Sequence, residues 1–432
     1  MSPFQLETCA RSNILKLKPY RCARDDYKDD GTNVLLDANE NAFGPSLDLQ
    51  GSSIGPTGVP NANPHDLDLL HLHRYPDPHQ VELKDLLCNL RNTHHHTAKK
   101  LTHENLCVGV GSDEIIDALI RCFCSPGRDK ILTCPPTYGM YPVSAQVNDV
   151  EVLQVPADAE NQFRLRPASI NNVLATDANV KLVFVCSPGN PSATLVSKSE
   201  LAEILNHPSW NGVVIVDEAY IDFSPEGSSL AEWVTEWPNL VVMQTLSKAF
   251  GLAGIRLGAA FTSPPIAQLL NSLKAPYNIS SPTSALACAA LQPQNVAIMK
   301  QHREKIIQQK QRLLRELPKI PGVGKFVGGE DANFLLVEML DKPMDEGGRP
   351  SNETALAVYA RLAEMKGVVV RFRGKEFGCE GCLRITVGTE EEVDRLTSKL
   401  RDAWREVFDD QRKTKKGKDE EQAECEANGV IA

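Results

Sequence analysis

The sequence predicts an α/β protein: a large domain built on a seven-stranded, mostly parallel sheet with one antiparallel strand, plus a smaller α/β domain. Seven short apolar runs lie between residues 106 and 261: LCVGV (106–110), KILTC (130–134), VEVLQV (150–155), KLVFVC (181–186), GVVIVD (212–217), NLVVMQT (239–245) and LGAAF (257–261). Helical patterns separate most of them, as a doubly wound sheet requires. The exception is the link from Thr245 to Leu257, which leaves little room for a crossover helix, so LGAAF is expected to run antiparallel to the rest.

Residues 1–75 read as an N-terminal arm that contributes to the small domain, interrupted by an insert at 47–73 rich in Gly, Pro, Asn and Ser. Residues 76–282 make the large domain, an amphipathic stretch at 283–317 the helix joining the domains, and 318–410 the small C-terminal domain with strands NFLLVEM, VVVRF and CLRITV. The tail, 411–432, is a lysine block followed by a glutamate block and is expected to be disordered. A second insert, 91–104, places His94, His95 and His96 beside Lys99 and Lys100. Without carboxylate or cysteine ligands at suitable spacing it reads as an exposed loop, and no metal site is expected.

Composition narrows the function. A chain of 432 residues, 42% of them hydrophobic, suits two domains with a large interior. Its net charge of −10 leaves no basic footprint, which argues against nucleic-acid binding. Most of the 12 cysteines sit inside apolar runs, as Cys107, Cys134, Cys186 and Cys288 do, which fits reduced packing residues; Cys379 and Cys382 form a CxxC without a second ligand pair. No leader pattern opens the chain and no apolar run approaches the ~20 residues of a membrane span, so a cytoplasmic location is the expectation.

The chemistry gathers where the strands end. In TLSKAFGLAGIR (245–256), Lys248 reads as a Schiff-base lysine, an amine whose pKa a crowded cationic site lowers. The hydroxyls of Thr245 and Ser247 and the fork of Arg256 suit a phosphate monoester, with Gly251 and Gly254 letting the chain curl back. Asp217 closes GVVIVD at the carboxyl end of a central strand, where it can pair with a protonated pyridine nitrogen, and Tyr220 follows three residues on. Asn190 sits on the turn after KLVFVC. In VGVGSDEII (108–116), the backbone N–H groups of Gly111, Ser112 and Asp113 form an anion cradle at a helix start. Singly, each has an ordinary alternative: a solvated lysine, a helix-capping aspartate, a plain Pro-Gly-Asn turn.

Taken in order, GSDE, PPTYGMY, SPGNP, DEAY and SKAFGLAGIR resemble the fold-type-I pyridoxal-phosphate aminotransferases. With LDANEN (36–41), RYPD (74–77), VVVRFRG (368–374) and CLRITVG (382–388), the resemblance narrows to the histidinol-phosphate aminotransferase family of histidine biosynthesis and covers about residues 20–408. It implies pyridoxal 5'-phosphate as cofactor, and exchange of an amino group between histidinol phosphate and 2-oxoglutarate to give imidazole-acetol phosphate and glutamate. By the same likeness, Tyr138 stacks on the cofactor ring, and Tyr75 reaches the cofactor phosphate of the neighbouring subunit of an obligate homodimer. Arg384 clamps the glutamate carboxylate and helps hold the substrate phosphate, to which Arg371 adds charge, while Tyr20 and Asn39 close the pocket. Arg373 leaves open which of two arginines faces the phosphate, since period-two alternation puts Arg371 and Arg373 on one face. Ser192 and Ala193 stand where the family usually has threonine and glycine, and Ala42 where proline is commoner. An aromatic aminotransferase or a phosphothreonine decarboxylase on the same scaffold shares the cofactor residues, and Arg371 and Tyr20 carry the discrimination.

Overall fold

The computed structural model describes residue 27 and residues 32–37, 39–43 and 76–427 of the chain. They fall into two compact units, one made of described residues within Glu40–Ile307 and Gly328–Asn333, the other of those within Cys22–Asn39, Gln308–Val327 and Phe334–Ala432. The strands in chain order are β1 (Val34–Leu35), β2 (Leu106–Val110), β3 (Lys130–Thr133), β4 (Glu151–Gln154), β5 (Val180–Cys186), β6 (Val213–Asp217), β7 (Leu240–Thr245) and β8 (Leu257–Thr262). They continue with β9 (Val323–Phe326), β10 (Phe334–Met339), β11 (Val368–Val369), β12 (Arg371–Phe372) and β13 (Cys382–Thr386).

The first unit holds a seven-stranded sheet in the order β2-β8-β7-β6-β5-β3-β4. All seven apolar runs became its strands, and β8 is antiparallel to both β2 and β7. The expectation from the short link is borne out: residues 246–256 hold the lysine loop and a single 3-10 turn, Ala253–Ile255. The central strands have no polar face to offer because both faces are covered: Leu182, Val183, Phe184, Val214, Ile215 and Val216 are all fully buried. Ile115, Ile116 and Leu119 of the helix Gly111–Phe123 belong to the same core cluster as Phe184, Ile215, Met243 and Ala260. That packing fixes the helix start at the end of β2.

The second unit holds a four-stranded antiparallel sheet, β12-β13-β10-β9, and a two-stranded parallel pair of β1 with β11. The helix Asn352–Met365 caps its start through the Ser351 side chain, which accepts from the Thr354 N–H.

Three segments differ from the sequence reading. The stretch 283–317 is not one helix: Ser281–Ala290 ends before Pro293, which lacks an N–H to donate and opens a second helix, Pro293–Glu316. The helix Glu390–Ala427 runs through most of the residues read as a disordered tail. Its Lys, Glu, Gln and Ala content has high helix propensity and extends a helix already seated by Val393, Leu396, Leu400 and Trp404. The insert 91–104 exposes His94 and His95 but half-buries His96, whose Nε2 lies 2.8 Å from the Gly227 carbonyl, and its backbone is anchored: the N–H groups of Thr93, His94 and His96 all donate to the buried Glu232 carboxylate, at 3.1, 2.8 and 2.6 Å. The insert 47–73 lies outside the described residues.

Candidate active site

Strands β5 and β6 end level with each other, and β7 runs two residues further, to Thr245. Register pairs Cys186 with Asp217 and Asp217 with Met243, and the chain carries the pairing one step further: the Ser187 N–H donates to the Asp217 carbonyl at 2.9 Å and the Glu218 N–H to the Met243 carbonyl at 2.8 Å. Three turns therefore open at one end of the sheet, carrying Asn190, then Asp217 and Tyr220, then Thr245, Ser247 and Lys248. Asn190, Asp217 and Tyr220 are buried, whereas Lys248 is half-buried with its Nζ 5.9 Å from the centre of the Tyr220 ring. Asp217 Oδ2 accepts the Tyr141 hydroxyl at 2.7 Å and Oδ1 the Ala219 N–H at 3.1 Å. Burial pushes the Asp217 carboxyl up to about 6; the Tyr141 and Ala219 bonds and the Lys248 charge oppose that rise and the Asp113 charge adds to it.

Beside these turns, β2 runs into the helix Gly111–Phe123 and Arg256 leads into β8. Gly111 has φ +72°, and a Cβ there would come within 2.6 Å of Arg256 Nη2, so the position requires glycine. Its N–H is spent inside the protein, on the Arg256 carbonyl at 3.0 Å; Gly111 supplies shape to the cradle rather than a donor. The N–H groups of Ser112 and Asp113, at the next two helical positions, have no intrahelical acceptor. Asp113 holds two neighbours, its Oδ1 accepting the Tyr138 hydroxyl at 3.2 Å and its Oδ2 lying 3.4 Å from Arg256 Nη2. Thr245 donates its hydroxyl to the Leu257 carbonyl at 2.8 Å, accepts the Ser247 N–H at 3.1 Å and lies 2.9 Å from the Ser247 hydroxyl. The Ser112 hydroxyl is buried and has no hydrogen-bond partner among the described residues. An orphaned hydroxyl among two unspent amides, a second serine and a guanidinium fits a phosphate monoester, whose oxygens accept from all of them.

In the second unit, antiparallel register sets Arg371 directly opposite Arg384 across β12 and β13. Directly opposed residues share a face, and two like charges there are destabilising unless an anion joins them. Arg384 is buried; its Nη2 donates to the Asp37 carbonyl at 2.6 Å and its guanidinium lies over the Phe334 ring at 5.3 Å. Arg373 follows the end of β12, its N–H still donating to the Cys382 carbonyl at 2.9 Å, and its guanidinium is paired with Glu376 at 2.6 Å. Asn39 is held at φ +54° by Thr386, which accepts its N–H at 3.1 Å and donates to its Oδ1 at 2.8 Å. Ala193, on the turn after Asn190, also has positive φ, +54°, where glycine would relieve about 1 kcal/mol of strain. Tyr20 and Tyr75 lie outside the described residues.

Sequence reasoning missed Tyr141 and Glu218. The PPTYGMY motif offers two tyrosines, and only the fold shows that the second one reaches Asp217. Glu218 has the same strand-end position as Asp217, yet its partners lie 11 to 26 residues away.

Residues 46–400 match the family described as aminotransferase class I and II. A histidinol-phosphate aminotransferase of Schizosaccharomyces pombe is 52% identical over 405 residues, covering 94% of this chain and 99% of its own. One of Saccharomyces cerevisiae is 47% identical over 401 residues, covering 91% and 96%. Among solved structures, histidinol-phosphate aminotransferase from Sinorhizobium meliloti in complex with pyridoxal-5'-phosphate matches with a TM-score of 0.70 at 22% identity, covering 87% of this chain and 91% of that one, a likeness of fold. The chain thus belongs to the class I and II aminotransferases and, within them, to the histidinol-phosphate aminotransferase family.

Proposed function

We propose that this chain is a cytoplasmic, pyridoxal-phosphate-dependent homodimer that moves an amino group from histidinol phosphate to 2-oxoglutarate in histidine biosynthesis. The observation that carries the substrate choice is the opposed pair of arginines. A site that takes glutamate in one half-reaction and a phosphate ester in the other must bind two different anions in turn. Arg384 presents a planar fork suited to either, and Arg371 on the same face supplies the second charge that a phosphate needs beyond a carboxylate. The first relatives, identical at about half of all positions over nearly their whole length, support the same substrate.

Pyridoxal phosphate bound at the strand ends would supply an electron sink for the substrate α-carbon. The residues around it divide the remaining work. Lys248 would hold the aldehyde through Nζ and, once released, move the proton at the α-carbon. Asp217 would keep the ring nitrogen protonated, Asn190 and Tyr220 would bond the ring oxygen, and Tyr138 would cover the ring. Thr245, Ser247, Arg256, Ser112 and Asp113 would anchor the phosphate, with Tyr75 reaching in from the second subunit and Tyr20 and Asn39 closing on the substrate. The homodimer follows from the family likeness, in which a tyrosine at the position of Tyr75 serves the neighbouring subunit.

The test is a set of single half-reactions followed by cofactor absorbance, with histidinol phosphate, phenylalanine, phosphothreonine and glutamate offered in turn. Histidinol phosphate and glutamate should both convert the cofactor, and Lys248→Ala should abolish conversion. Arg371→Ala should weaken histidinol phosphate roughly tenfold or more while changing glutamate less than about threefold. Preference for phenylalanine or phosphothreonine, or equal loss for both anions in the arginine variant, would overturn the assignment.

A further inference from the structure

We infer that Tyr141 is a positioning residue for Asp217: its hydroxyl fixes one carboxylate oxygen and keeps the group ionised toward the cofactor ring. The inference rests on the function proposed above and concerns a residue that touches neither substrate nor lysine.

The geometry is a short bond in a dry place. Tyr141 is 0% exposed and Asp217 3%, and the hydroxyl reaches Oδ2 at 2.7 Å. The ring is held independently of that bond, stacked on Phe184 at 4.8 Å and edge-on to Tyr138 at 5.6 Å, within the first turn of the helix Met140–Val147. Packing alone would be served as well by phenylalanine, which has the same ring and no polar atom to bury. The hydroxyl therefore requires a reason of its own, and its acceptor is the carboxylate that meets the ring nitrogen in the proposed reaction.

The electrostatics point the same way. Burial works against the charged form of Asp217, and Asp113 works with burial; Lys248, Tyr141 and the Ala219 N–H work against them. The Cys186 thiol also borders the Tyr141 hydroxyl, and burial raises it far enough that it stays neutral beside the acid. Of the groups that favour the ionised carboxylate, Tyr141 is the strongest. Without it Asp217 takes up a proton more readily, and a neutral acid holds a pyridinium nitrogen less tightly. Asp217 Oδ1 is already committed to the Ala219 N–H, so the tyrosine also fixes the rotation of the carboxylate.

The experiment uses the full chain and Tyr141→Phe, each stripped of cofactor and then titrated with pyridoxal phosphate. Three quantities are read: the melting temperature of the stripped protein, the cofactor dissociation constant, and the pH midpoint of the bound cofactor's absorbance. The inference expects a similar melting temperature, a dissociation constant about tenfold weaker, and a midpoint for the Lys248 linkage raised by about half a unit or more, because a ring less often protonated at nitrogen withdraws less charge from that linkage and lets it keep its proton to higher pH. A dissociation constant within about twofold and an unmoved midpoint would reduce Tyr141 to a packing residue. Asp217→Asn supplies the control: on that background the tyrosine change should leave the midpoint where it is, and an additive shift would overturn the link. A parent protein whose absorbance does not depend on Lys248 would instead remove the proposed function, and this inference with it.

Discussion

Asp217 and Glu218 leave the end of β6 one after the other and are almost equally buried, at 3% and 2% exposed, yet they are satisfied in different ways. Successive residues of an extended chain point to opposite sides, so each meets its own set of donors. Glu218 accepts the Leu230 N–H at 2.6 Å and both the Ser229 hydroxyl and the Gln244 amide at 2.7 Å. Gln244 in turn accepts from Arg91 at 2.7 Å, and Arg91 pairs with Asp222 at 2.8 Å, so the network closes on itself. Asp217 receives one hydroxyl and one amide, which leaves about half of a carboxylate's acceptor sites to a ligand. A buried acid whose oxygens are shared among internal donors joins parts of the fold; one held by fewer donors at a strand end is prepared for a partner that arrives later. Burial raises both, Asp217 to about 6 and Glu218 to about 7, so the raised pKa alone does not separate the two roles.

The largest effect expected from this difference is on turnover. Asp217→Asn should lower kcat by about a hundredfold to a thousandfold, because a neutral amide cannot hold a ring nitrogen protonated. Glu218→Gln should change kcat less than about tenfold, since no atom of Glu218 faces the reacting groups in this reading. Steady-state rates with saturating cofactor decide it, and a larger loss in the glutamate variant would reverse the roles. Stability should rank the pair the other way. Glu218→Ala leaves the Leu230 N–H, the Ser229 hydroxyl and the Gln244 amide without their acceptor and should cost about 3 kcal/mol in a urea titration. Asp217→Asn removes a buried charge and can keep its oxygen on the Ala219 N–H while its amide donates to the Tyr141 hydroxyl, so the cofactor-free protein should be as stable as the parent, or more so.

Much of the arrangement was legible in the chain because it is local. Apolar runs such as VFVC and GVVIV announce strands covered on both faces, and the short link before Leu257 forces the antiparallel turn without any knowledge of what surrounds it. The order of strand-end residues could likewise be read, since Asp217 closes β6 and Asn190 and Lys248 each come within four residues of a strand's end. What could not be read depends on partners distant in sequence. Tyr141 meets Asp217 across 76 positions, and Glu232 anchors the His94 insert across 138. The opposition of Arg371 and Arg384 needs the register of β12 on β13, and the pairing of Arg373 with Glu376 needs the turn after it; neither is visible in period-two spacing. The split at Pro293 was available from the residue itself; the amphipathic pattern on either side of it concealed the break.

The smallest expected effect is also the one that resolves the two acids from each other, because it separates them by pH. A carboxyl whose folded pKa lies above its unfolded value binds more protons in the folded state, so its contribution to stability is full below the unfolded pKa and is lost as pH rises through the folded one. For Asp217 that window runs from 3.8 to about 6, and for Glu218 from 4.5 to about 7. Asp217→Asn removes the first window alone. Its stability advantage over the cofactor-free parent should therefore grow between about pH 4 and 6 and then level off, by about 1 to 2 kcal/mol after relaxation of the site. Glu218→Gln should show its own pH-dependent change about one unit higher. Urea midpoints taken at half-unit steps from pH 4.5 to 8 would expose the offset. Coincident windows would mean that the two carboxyls titrate as one group, and the contrast between an open acid and a closed one would have to be withdrawn.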